Sequence, residues 1–130
     1  MRISIKATNI DLTEPLRSYV TERIESVRKL TTISDESLHA AVEIGKTSHH
    51  HKQGDIFRAE VNFHLAHTML RAVAVKDDLH AAIDEMKDEL ARELSSYKDK
   101  DRTLMRRGAS AVKAMMKGVG DMFRTRRSDN

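Results

Sequence analysis

The chain opens on an alternation. Ile3 and Ile5 stand between Arg2, Ser4 and Lys6, the period-two pattern of a half-buried strand. Asn9 to Thr13 form a short polar connection ending in a helix-start signal. Thr13 can cap, Glu14 lies in the first turn, and Pro15 is tolerated where early amides have no partner. Leu16, Val20, Ile24, Val27 and Leu30 then recur every three or four residues, which predicts a helix to about Lys29 or Leu30. Thr31 to Glu36 read as a loop. Leu38, Ala40, Val42 and Ile44 alternate with His39, Ala41 and Glu43, predicting a second strand that ends at Gly45. After a polar loop from Lys46 to Asp55, the clearest alternation of the chain follows in Phe57, Ala59, Val61, Phe63 and Leu65. A turn at Ala66, His67 and Thr68 leads to a fourth strand carrying Leu70, Ala72 and Ala74 on one side. Asp77 or Asp78 can cap the next helix, whose stripe is Leu79, Ile83, Met86, Leu90, Leu94 and Tyr97.

The predicted order is β-α-β-β-β-α. Two amphipathic helices and a four-stranded sheet with one apolar face bury each other, giving a two-layer α+β domain with both helices on one face of the sheet. The short turns between strands two, three and four require an antiparallel meander there.

The last segment carries another pattern. Lys98 to Arg102 are all charged and mark a boundary, dividing a domain over 1–100 from a tail over 101–130. Met105, Ala109, Val112, Met116, Val119 and Phe123 form a heptad-like apolar seam, so the tail is predicted helical over about 103–123. Gly108, Gly118 and Gly120 each cost a helix ~1 kcal/mol relative to alanine, so this helix is expected to form against a partner or against the domain.

Charge sharpens that division. The tail holds eight Lys or Arg against three acids, a net +5, while the first hundred residues hold fifteen basic and seventeen acidic groups, a net −2. A basic appendage on an acidic domain points to a polyanionic partner. Cysteine is absent, which excludes disulfides and thiolate zinc sites and agrees with a reducing cytoplasm. No run of eighteen apolar residues could span a membrane, and the scattered aromatics offer no base-stacking platform.

Two features could carry other chemistry, and neither holds up. His49, His50 and His51 are consecutive and point in different directions on any regular backbone, so they read as an exposed polar loop and not a metal site. Asp84 with Asp88, and Glu85 with Glu89, are carboxylate pairs on a helix face, where such groups usually meet solvent and not a substrate. No glycine-rich phosphate loop exists. The residues therefore imply no cofactor, no metal, no small-molecule substrate and no enzyme activity. Arg92, Lys98, Lys100 and Arg102 cluster at the end of the second helix, where cations also suit the helix dipole. Arg106 and Arg107 extend that cluster into the tail.

Three stretches carry a family likeness: Ile3-Ser4-Ile5 through Asn9-Ile10-Asp11-Leu12-Thr13 to Leu16-Arg17-Ser18-Tyr19-Val20; Leu70-Arg71-Ala72; and Asp77-Asp78-Leu79-His80-Ala81-Ala82-Ile83-Asp84 followed by Leu90-Ala91-Arg92-Glu93-Leu94 and Lys98-Asp99-Lys100. Together they resemble the ribosome hibernation-promoting factors, also called ribosome-associated inhibitors or subunit-interface proteins, in a short form with a divergent basic tail. The likeness covers residues 1 to about 100. It implies a protein that binds small-subunit ribosomal RNA near the decoding region and blocks translation by occupancy in stressed cells. Carried over by position, the RNA contacts are Arg23 and Lys29 on the first helix and Arg92, Lys98 and Lys100 at the end of the second. A reading of another class is a protein-interaction module, whose tail helix docks on a partner or self-associates weakly through its seam.

Overall fold

The computed structural model describes residues 1–33, 35–47 and 54–128; the side chains of Asp35, Met105 and residues 109–128 lie outside that description. The histidine loop at 49–51 and every side chain of the tail's apolar seam therefore fall outside it. Strand β1 spans Arg2–Thr8, helix α1 Glu14–Arg28, β2 His39–Thr47, β3 Ile56–Leu65, β4 Thr68–Lys76 and helix α2 Leu79–Ser128, with one short 3-10 turn at Asp35–Ser37. The strands lie in the order β1-β2-β3-β4. β1 pairs parallel with β2, and the other two pairings are antiparallel. The predicted meander is present, and β1 joins it through the α1 crossover, as a parallel neighbour requires.

The caps are those the sequence implies. Thr13 precedes α1, and its hydroxyl accepts from the Leu16 amide at 3.3 Å. Of the two aspartates before α2, Asp78 caps: its carboxylate accepts from the Ala81 amide at 2.8 Å, and its carbonyl from Ala82 at 2.9 Å. Each satisfies an amide that the first helical turn leaves open.

The core forms between helices and sheet. Leu16, Val20, Ile24 and Val27 of α1 and Ala82, Ile83, Met86, Leu90 and Leu94 of α2 are buried. They meet Ala40, Val42, Ile44, Ala59, Val61, Phe63, Leu70, Ala72 and Ala74 on the inner face of the sheet. The outer face is open, with Met69, Val73 and Val75 exposed beside a Glu60 carboxylate held by Arg58 at 2.9 Å and Arg71 at 2.7 Å.

Three expectations are corrected. Leu30 is not part of the α1 stripe: the helix ends at Arg28, and Leu30 is 48% exposed. β2 does not end at Gly45 but runs to Thr47. The glycine marks a close approach, because a Cβ there would lie 2.6 Å from the Thr8 carbonyl oxygen of the neighbouring β1. And α2 is a single 50-residue helix with no break at 98–102. That charged run contains neither glycine nor proline, and extending an existing helix avoids the nucleation that makes an isolated one marginal. By packing, the chain divides into two units, Met1–Ser95 and Ser96–Asn130.

Candidate nucleic-acid interface

The outward side of α1 and the first turns of α2 meet at a cluster of four side chains. Tyr19 and Arg23 lie one helical turn apart on α1, so both reach the same point on the neighbouring helix. That point is Asp84. The Tyr19 hydroxyl donates to Asp84 Oδ1 at 2.6 Å, and Arg23 Nε donates to the same oxygen at 2.9 Å. Arg23 Nη2 in turn donates to the Tyr19 hydroxyl at 3.2 Å, closing a three-membered ring of hydrogen bonds. The guanidinium carbon sits 4.6 Å from the centre of the Tyr19 ring, within cation–π reach. His80 approaches that ring edge-on, also with 4.6 Å between centres.

The electrostatics follow this geometry. Partial burial pushes the Asp84 carboxyl up, but the hydrogen bonds from Tyr19 and Arg23 and the nearby positive charge outweigh it, so the group titrates below its usual range. The hydrogen bond to Asp84 raises the Tyr19 hydroxyl, and the same network raises Arg23 further. At neutral pH the aspartate is charged, the tyrosine neutral and the arginine charged.

Arg92 is held differently. Its Nη2 donates to Glu85 at 3.0 Å and Glu89 at 2.7 Å, and its Nε to Glu89 at 3.2 Å. All three residues are on α2, and the arginine side chain is 58% exposed. The carboxylates expected to meet only solvent are thus engaged: Asp84 binds Arg23 across helices, while Glu85 and Glu89 bind Arg92 along one helix. Lys29 follows α1 and is exposed. In the second unit, Lys100, Arg102, Arg106 and Arg107 are exposed and Lys98 is partly so. Periodicity had offered no sign of the Tyr19–Asp84 pairing, although both residues lie in the stretches that carry the family likeness.

A family model described as Sigma 54 modulation protein / S30EA ribosomal protein matches residues 3–102. The chain belongs to that family. The membership covers the whole β-α-β-β-β-α unit and the charged start of the second. Among curated relatives, the ribosome hibernation promotion factor of Picosynechococcus sp. is 30% identical over 103 residues, covering 78% of this chain and 51% of that protein. The chain thus spans about half the length of this relative. The ribosome hibernation promoting factor of Escherichia coli is 27% identical over 100 residues, covering 77% of this chain and 96% of that protein. Two solved structures share the fold. The N-terminal domain of Thermus thermophilus Protein Y aligns with a TM-score of 0.63 at 23% identity, covering 75% of this chain and 99% of that one. A ribosomal subunit interface protein from Coxiella burnetii aligns with a TM-score of 0.59 at 19% identity, covering 76% and 99%. The four-stranded mixed sheet with its two helices is therefore the S30EA fold.

Proposed function

We propose that this S30EA-family chain binds the small ribosomal subunit through its RNA, near the decoding region, and inhibits translation by occupancy. The supporting observation is the family match over residues 3–102, together with relatives named as ribosome hibernation factors. The chemistry is that of a ligand and not a catalyst. Cationic side chains neutralise phosphates and release counterions, and the folded domain then fills space that substrates of translation would need. Arg23 of α1, Lys29 just after it and Arg92 of α2 are the first unit's contacts. Lys98, Lys100, Arg102, Arg106 and Arg107 add to them from the second unit. The first hundred residues carry a net −2, so the basic tail supplies the positive charge the domain lacks. The protein works in the cytoplasm, where its ribosomal partner is.

The test is co-sedimentation of the full chain with purified small subunits across a salt series. Binding is expected at low salt and should fall linearly on logarithmic axes. Reversing charge at Arg92 and Lys98 together is expected to release the protein. Neutralising Arg106 and Arg107 should flatten the slope by ~0.7–0.9 per lost phosphate pairing. Binding indifferent to salt would instead support apolar docking, as for a protein-interaction module.

A further inference from the structure

We propose that Asp84 is a positioning residue, which with Tyr19 sets the Arg23 guanidinium as a preformed fork for a ribosomal RNA phosphate; this rests on the ribosome-binding reading above. The guanidinium has two forks of N–H groups. One joins Nε to Nη2, and the structure fills it with Asp84 Oδ1 at 2.9 Å and the Tyr19 hydroxyl at 3.2 Å. The other is the end-on fork of Nη1 and the second Nη2 hydrogen. Among the described residues no hydrogen bond takes it: the nearest carboxylate to Nη1, that of Glu22, is 3.8 Å away. The Arg23 side chain is 32% exposed and that of Glu22 76%, so a ligand can reach the guanidinium at this end in place of Glu22. An end-on fork is the geometry that grips two phosphate oxygens at once.

The value of the arrangement is preorganisation. A free arginine must give up rotamer freedom to make such a grip. Here a carboxylate from another helix, a hydroxyl below and an aromatic face hold the guanidinium before any ligand arrives. Asp84 also has an opposing effect, since its negative charge repels an approaching phosphate. It lies on the Nε side of the guanidinium, away from the end-on fork, with Arg23 between; the acid that a phosphate would displace at that fork is the exposed Glu22, 3.8 Å from Nη1. Arg92 has no such device: its acids come from its own exposed helix face and take both Nη2 and Nε.

The experiment compares ribosome affinity and folding of the full chain in five forms: wild type, Asp84→Ala, Asp84→Asn, Arg23→Ala and the Asp84→Ala/Arg23→Ala double variant. Small-subunit affinity is read by sedimentation at low salt, the folded fraction by circular dichroism, and the Arg23 Nε–H resonance by NMR. Asp84→Ala is expected to stay folded, broaden that resonance and weaken binding about three- to tenfold, the equivalent of freeing one ordered side chain. Asp84→Asn keeps the accepting oxygen and is expected to recover most of the affinity. Adding Asp84→Ala to Arg23→Ala is expected to cost nothing more, because the aspartate acts through the arginine. Stronger binding by both Asp84 variants would mean that the aspartate masks Arg23 and would overturn the proposal. Unchanged affinity of a folded Asp84→Ala protein would reduce the cluster to a helix–helix clip and overturn it as well. If the wild type itself fails to bind small subunits, the ribosome-binding reading falls and takes this inference with it.

Discussion

Arg23 and Arg92 are both arginines of the helical layer, both expected at a phosphate interface, and both held by carboxylates. The partner of Arg23 is 61 residues away in sequence, on the other helix. The partners of Arg92 lie three and seven residues away on its own helix. The first pairing exists only when α1 and α2 pack together. The second is available to any helix with this local sequence. Tertiary structure therefore fixes one cation in place, whereas the other rests on an exposed intrahelical pair of small energetic weight.

The contrast can be broken from below. Ile83 is fully buried on α2, one residue before Asp84, so Ile83→Ala loosens the packing that holds this part of α2 to the core. A loss of about 2–5 kcal/mol in denaturant titration is expected, as is disturbance of the Arg23 site ahead of the Arg92 site. A loss below about 0.5 kcal/mol would show that this region of the core is not as described.

A smaller effect sharpens the comparison. Asp84→Asn removes the charge from a partly exposed pair, in which the Asp84 side chain is 45% and that of Arg23 32% exposed. Its cost at neutral pH is expected to be no more than about 1 kcal/mol. The sign of its pH dependence follows from the lowered Asp84 group. The stabilisation is present above the ordinary aspartate value of about 3.9 and is lost as the pH falls through the lower value of the folded state. Wild type and Asp84→Asn should therefore converge in strong acid and separate near neutrality. A constant difference across that range would show that the Arg23 pairing is not ionic.

The smallest effect belongs to Arg92→Ala, expected to leave the denaturation midpoint close to that of wild type because its pairs are exposed and local. A loss as large as that of the Asp84 variant would erase the distinction between the two arginines.

The same contrast separates what was legible in the sequence from what was not. Strand alternation in Phe57 to Leu65, the helical stripes through Val20 and Ile83, and the caps at Thr13 and Asp78 are local patterns. Each is reproduced in the structure. Arg23, as a cation of α1, was also legible through the family likeness. Its engagement with Asp84 was not, because no periodicity links residues 61 positions apart on different elements. Gly45 misled because a glycine that admits a neighbouring strand looks, in one dimension, like one that ends its own. Residues 98–102 misled only about the helix: the change in composition there reads as a break between two helices, although nothing in the run breaks one.

Co-sedimentation of the full chain with small ribosomal subunits, wild type beside the Arg92 and Lys98 charge-reversed variant over a salt series, tests the central claim most directly. The account predicts that wild type pellets with the subunits at low salt, that its affinity falls steeply as salt rises, and that the variant stays in solution. A wild-type protein that remains in the supernatant at low salt while the subunits pellet would contradict it.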